Sequence, residues 1–123
     1  MKKILVVEDN DKNLRLIVDI LKYYKYEVIE AENGAEAVTS AVNQLPDLIL
    51  MDIQMPVMDG FTALKLLRDN SATRDIKVIA LTSFAMSGDR EKILSAGFND
   101  YIAKPMDTRA LPEIMKKHLG NND

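Results

Sequence analysis

Hydrophobic residues along this chain alternate between two rhythms. Unbroken apolar runs at Ile4–Val7, Leu48–Met51 and Val78–Leu81 have the character of strands buried on both faces. Two weaker runs complete the set: Tyr26–Ala31 carries Glu27 and Glu30, and Tyr101–Ala103 is very short, so both are expected at the edges of a sheet. Between the runs the spacing turns helical. Leu14, Ile17, Val18 and Leu21 stand at i, i+3, i+4 and i+7, a stripe to lay on a sheet, with Arg15, Asp19 and Lys22 opposite. Five such strand-to-helix alternations predict an α/β fold, a doubly wound parallel sheet of five strands with five helices. Weak second and fifth strands, combined with right-handed crossovers, predict the order 2-1-3-4-5, in which the first and third strands meet where the winding reverses.

Helix boundaries have their own signals. Asn33 with Glu36 reads as an N-terminal capping pair for the second helix, Asp59 as a cap for the third, and Ser87 with Asp89 as a cap for the fourth. Gly97 suits the turn that ends the fourth helix. Thr108 or a neighbour is expected to start the last helix, because Pro112 fits only near a first turn; Leu111, Ile114, Met115 and His118 form its inward stripe. His118, near that helix's C-terminus, is read as a cap for the final carbonyls. Met55 and Met58 are read as gap-fillers.

Composition narrows the function classes. The 123 residues fit one domain, 1–123, with no room for a second folded output module. A net charge of -3, with Lys and Arg scattered rather than striped, offers no field for nucleic acid. There is no cysteine, so disulfides and thiolate metal sites are excluded. No apolar stretch approaches the roughly 20 residues of a membrane span and no apolar leader opens the chain, which predicts a soluble, cytoplasmic protein.

The residues that end the runs supply the chemistry. Ile4–Val7 leads into Glu8-Asp9, Leu48–Met51 into Asp52, Val78–Leu81 into Thr82-Ser83, and Tyr101–Ala103 into Lys104-Pro105. In a parallel sheet these all fall along the carboxyl edge, where such folds bind ligands. Three carboxylates in close quarters call for a hard cation with oxygen ligands, and magnesium fits, with Asp9 and Asp52 as direct ligands, Glu8 acting through water and Gln54 adding its backbone carbonyl. A carboxylate beside such a cation can attack a phosphoryl group; Asp52 is the candidate nucleophile and Lys104 the partner for the phosphoryl oxygens. Thr82 offers a hydroxyl to the same group, and Ser83 is small enough to leave room while its backbone N–H donates. Charge-assisted hydrogen bonds contribute roughly 1.5–3 kcal/mol each. Two or three of them approach the ~5.5 kcal/mol that moves a two-state equilibrium from 1:99 to 99:1.

On the acidic pair in KILVVEDN, the acceptor in DLILMDIQMPVMDG, the hydroxyl in VIALTSFA and the lysine in AGFNDYIAKP, the chain resembles the receiver domain of two-component response regulators over essentially its whole length. EDN, MDIQMP and TSFAM resemble stand-alone receivers of the DivK type. The resemblance implies a flavodoxin-like fold and phosphoryl transfer to Asp52 from a histidine kinase or histidine phosphotransfer protein. It also implies magnesium held by Glu8, Asp9, Asp52 and the Gln54 carbonyl, and a usually cis Lys104-Pro105 bond. A relay is implied as well: Thr82 moves toward the phosphoryl group, Tyr101 turns inward, and the face formed by the fourth helix, fifth strand and fifth helix engages a protein target. Gln54 and Phe84 occupy positions where the family tunes access of water to the acyl phosphate, with Phe84 expected to shield it. Leu16, Ile20 and Tyr23 widen the first helix's apolar arc, either for contact with the last helix or as a patch for the phosphodonor. Other functions consistent with these residues are a phosphate sink or shuttle and a magnesium-dependent phosphatase. The phosphatase is disfavoured by Gln54, which stands where such enzymes place a second acid. A mononucleotide-binding module lacks its glycine-rich phosphate loop.

Overall fold

The computed structural model describes residues 1–83, 87–104 and 107–120. Five strands and five helices alternate along it: β1 (Lys3–Val7), α1 (Asp11–Tyr23), β2 (Glu27–Ala31), α2 (Gly34–Gln44), β3 (Leu48–Asp52), α3 (Gly60–Asp69), β4 (Lys77–Thr82), α4 (Ser87–Ala96), β5 (Asp100–Ala103) and α5 (Ala110–Leu119). The strands form one parallel sheet in the order β2-β1-β3-β4-β5. The two strands with the poorest apolar patterns are therefore the edges, and β2 leaves Glu27 and Glu30 in solvent.

Alternation along each strand splits the core into two layers. Ile4 and Val6 of β1, Leu48 and Leu50 of β3, and Ile79 and Leu81 of β4 face α1 and α5, where Leu14, Ile17, Val18, Leu21, Leu111 and Met115 meet them. Their neighbours Leu5, Val7, Ile49, Met51, Val78 and Ala80 face the other way, against Ala37, Leu64, Leu67 and Ile93 of α2, α3 and α4. Successive side chains in a strand point to opposite faces, so an unbroken apolar run is what a sheet covered on both sides demands. The four residues of the α1 stripe are all buried, while Arg15, Asp19 and Lys22 are exposed. Among the described residues no helix is long and apolar enough to cross a membrane.

Caps fix where the helices begin. Asn10 accepts the Asn13 N–H at 3.0 Å for α1, Asn33 the Glu36 N–H at 2.9 Å for α2, and Asp59 the Thr62 N–H at 2.8 Å for α3. Ser87 is the first residue of α4, its side chain lying outside the described set. α5 starts at Ala110, and its preceding residue Arg109 makes no side-chain cap, so Pro112 sits in the first turn where its missing N–H costs nothing. Gly97 ends α4 at φ +112°, a conformation that favours glycine.

Two devices hold the loops. The Arg68 guanidinium of α3 donates to the carbonyls of Arg74 and Ile76 at 2.9 and 2.7 Å and, through its other amino group, to Gly97 O and Asn99 Oδ1 at 3.0 and 2.9 Å. It thus ties the loops that precede β4 and β5 at the end of the sheet away from the acidic residues. Gly60 closes the loop after β3: a Cβ there would sit 2.7 Å from Asp52 O and 2.8 Å from Ile53 Cα, so only glycine allows this approach.

Candidate functional site

Register decides which side chains meet. Val7 of β1 pairs with Met51 of β3, and β3 continues through Asp52, so the chain leaving β1 delivers Glu8 and Asp9 beside Asp52. Carboxylate oxygens of these three acids lie within 4.8 Å of one another. Glu8 and Asp52 are buried, at 1% and 5% exposure, while Asp9 is exposed. Lys104, the residue after β5, is fixed by its own N–H donating to Thr82 O at 2.7 Å. Its ammonium donates to Glu8 Oε1 at 2.8 Å and to Asp52 Oδ2 at 2.9 Å. The other Asp52 oxygen accepts the Gln54 N–H at 3.0 Å.

One ammonium among three carboxylates leaves the cluster negative, and the consequence falls on Glu8. Burial, reinforced by the adjacent Asp52 carboxylate, pushes its carboxyl up to about 7, and Lys104 offsets only part of this. Burial alone would lower Lys104, but its bonds to Asp52 and Glu8 outweigh that and hold it above the ordinary lysine value. Glu8 Oε2 is buried and has no hydrogen-bond partner among the described residues. A buried carboxylate oxygen without a donor is costly, and a cation bound between three all-oxygen donors supplies what it lacks. The donor set fits magnesium and contains none of the nitrogen or sulfur that zinc prefers.

The remaining predicted residues surround this cluster at different distances. Thr82 is buried at the end of β4, paired in register with Ala103. Ser83 is exposed, and its hydroxyl donates to Gln54 Oε1 at 3.1 Å, spanning the loops after β3 and β4. Tyr101 is not in the cluster. It lies on β5 opposite Ala80, half-buried, with the Arg90 guanidinium of α4 5.7 Å from its ring centroid. Phe84 and Pro105 lie outside the described residues, and with them the expected shielding and the expected cis bond.

His118 departs from its expected role. Instead of capping carbonyls, its Nε2 lies 3.0 Å from Asp100 Oδ2, which also receives Lys117 Nζ at 3.0 Å. Burial opposes ionisation of Asp100, yet hydrogen bonds from His118, the Tyr101 N–H and Lys117 outweigh it and hold the carboxyl below its usual range. This group sits where β5 begins, the opposite end from Lys104. The widened arc of α1 divides: Ile20 packs against the layer that contains Leu111 and Met115, while Leu16 and Tyr23 are exposed. Sequence reasoning passed over Asn10, whose place between Asp9 and the first periodic helix is a start signal. It also passed over Arg68, for which no local signal exists.

Comparison with known proteins places this geometry. The response regulator receiver domain model matches residues 4–116. The polar-differentiation response regulator DivK of Brucella anthropi is 43% identical over 120 residues, 98% of this chain and 98% of that one. The receiver domain of a sensor histidine kinase from Pseudomonas aeruginosa, with a magnesium ion coordinated in its active site cleft, superposes with a TM-score of 0.90 at 42% identity, covering 97% of this chain and 98% of that chain. A receiver domain from Saccharomyces cerevisiae, crystallised with a histidine phosphotransfer protein, gives 0.88 at 31% identity over 95% of this chain and 88% of its own. The chain belongs to the response regulator receiver domain family. It is a phosphorylation-dependent signalling switch of a two-component regulatory system.

Proposed function

We propose that Asp52 is the phosphoryl acceptor and that the donor is a phosphohistidine on a histidine kinase or a phosphotransfer protein. The observation that carries this reading is the Lys104 ammonium bridging Asp52 and Glu8 at 2.9 and 2.8 Å, which places a cation where transferring oxygens gather charge. A carboxylate oxygen of Asp52 attacks phosphorus, the N–P bond breaks with its electron pair going to the ring nitrogen, and the imidazole departs neutral, keeping the proton already on its other nitrogen. Lys104 then follows the phosphoryl oxygens, Thr82 supplies its hydroxyl, and the Ser83 backbone N–H donates to a third oxygen. Glu8, Asp9, Asp52 and the Gln54 carbonyl hold magnesium in this reading, and the orphaned Glu8 Oε2 supports it. When bound, the ion neutralises phosphoryl charge during transfer.

The chain catalyses no turnover of an external substrate in this reading: Gln54, two residues after the acceptor, provides no second acid for a leaving group. In this reading the receiver domain works through protein contacts, which its membership of the family supports. Those contacts are assigned to the face of α4, β5 and α5. Support comes from the short span of sheet that links the two: Lys104, which bonds the acidic cluster, follows β5 with its N–H on Thr82 O, and Tyr101 stands on β5 beneath Arg90 of α4. Intact mass after incubation with magnesium and acetyl phosphate tests the acceptor. One added phosphoryl group is expected on the unaltered chain and none on Asp52→Asn; equal labelling of both overturns the assignment.

A further inference from the structure

The chain carries a net charge of -3, yet its signs are divided between the two edges of the sheet. Glu8, Asp9 and Asp52 crowd the carboxyl edge. At the amino edge, Lys2 O accepts the Glu27 N–H at 2.9 Å and Lys3 O accepts the Asp47 N–H at 2.8 Å, so the start of β1 lies between the turns that precede β2 and β3. This corner gathers Lys2, Lys22 and Lys25. Its acids are engaged by Lys3: Glu27 Oε2 lies 3.7 Å from the Lys3 ammonium, and Asp47 Oδ2 accepts the Lys3 backbone N–H at 2.8 Å. Apolar side chains share the corner. Tyr23 and Tyr24 are 76% and 46% exposed, their rings edge to face, and Leu45 is 55% exposed. Lys25 and Leu45, two strand spacings or about 10 Å apart, are two of the three non-glycine residues at positive φ among the described residues, at 72° and 46°. Glycine is what such turns favour. Neither side chain is repaid by burial, so the strain points to a contact outside the molecule.

We propose that this corner docks the chain on an anionic lipid surface, with Tyr23, Tyr24 and Leu45 entering the headgroup layer and Lys2, Lys22 and Lys25 facing the lipid charge. Tyrosine rings and lysine stems suit that boundary, because each has an apolar body and a polar tip. Charge sets the orientation. An anionic surface attracts this corner and repels the carboxyl edge, so a docked chain turns Glu8, Asp9 and Asp52 toward solution. The contact is peripheral and reversible, since each lysine near such a surface strengthens binding only about fivefold.

The test is sedimentation with vesicles of pure phosphatidylcholine and of phosphatidylcholine mixed equally with phosphatidylglycerol, for the unaltered chain and for Lys25→Gly combined with Leu45→Gly. Glycine relieves both positive φ angles, so the double variant keeps its fold, which its thermal midpoint checks. The unaltered chain is expected to sediment with the mixed vesicles and to remain in solution with the neutral ones. Partition should fall at least about tenfold in the double variant and decline for the unaltered chain as salt is raised. Tyr23→Ser, a change at a 76% exposed ring, should also weaken binding and gives the same reading if the double variant melts lower. Equal sedimentation with both vesicles overturns the role of charge and with it the inference. Undiminished binding in the variants overturns it too, because the contact then lies elsewhere on the chain. No sedimentation with either vesicle removes lipid as the occupant and leaves the corner to an acidic protein surface.

Discussion

Glu8 is the residue on which the acidic cluster turns. Its folded value of about 7 lies above the reference of 4.5, so the stability it contributes is fully present below about 4.5 and is lost as pH rises to about 7. In cation-free buffer the thermal midpoint is expected to fall across that window, and Glu8→Gln to flatten the fall; melts recorded with a chelator check both. Magnesium binds the deprotonated carboxylate, so its apparent affinity should weaken below pH 7, approaching roughly tenfold per pH unit by isothermal titration. Val57 presents a second residue-scale cost. It is β-branched, 83% exposed, and held at φ 70° while the Met58 N–H donates back to Pro56 O at 2.7 Å. Positive φ is strained for such a residue, and Asn tolerates it far better. Val57→Asn should stabilise by about 1 kcal/mol, which is roughly 3–5 °C in a domain of this size.

Among the elements, α3 and its flanking loops bear the most on the site. Gly60 packs so closely under the end of β3 that Gly60→Ala must move the Asp52 carbonyl or the Ile53 backbone, neither of which is a flexible side-chain tip. Displacing Asp52, the proposed acceptor, by about an ångström would cost on the order of 100-fold in rate. Labelling of Asp52 by acetyl phosphate in Gly60→Ala should be slower by that order while far-UV circular dichroism is unchanged. At the other end of the same helix, Arg68 satisfies three carbonyls and the Asn99 side chain. Arg68→Ala leaves these acceptors without their donor, and urea melts should register a loss of about 2–4 kcal/mol. Arg68→Lys should recover little of it, because a point charge cannot replace a planar fork.

For the molecule as a whole, the proposed roles of Lys104, Thr82 and Ser83 mean that phosphorylation of Asp52 would add two or three charge-assisted hydrogen bonds at the carboxyl edge. The gain, roughly 1.5–3 kcal/mol for each bond, approaches the ~5.5 kcal/mol that reverses a two-state equilibrium, and the proposed switch predicts that β4, α4 and β5 respond. Hydrogen exchange measured with and without phosphorylation should change by about tenfold or more in these segments, and Asp52→Asn should show no change. A response confined to the loops that bear Glu8, Asp52 and Lys104 would contradict a switch that reaches Tyr101. Asp100 provides an internal reference at the far end of β5. Its depressed carboxyl contributes stability above the unfolded value and loses it as pH falls through the folded one, apart from the Glu8 effect.

Local sequence determined the elements, their order and the membership of the acidic cluster. Ile4–Val7, Leu48–Met51 and Val78–Leu81 are covered on both faces, so their composition alone marks them as central strands. In a parallel sheet every strand ends on the same edge, which turns position in the sequence into position in space for Glu8, Asp9, Asp52, Thr82 and Lys104. Packing decided everything that depends on partners remote in the chain. Arg68 finds carbonyls, which no residue type announces, and His118 finds Asp100 eighteen positions away instead of the nearest helix end. The elevated carboxyl of Glu8 and the corner that gathers Tyr23, Lys25 and Leu45 likewise arise only once the strands lie side by side. Periodicity is a property of neighbouring residues, whereas burial and distance are properties of the assembled fold.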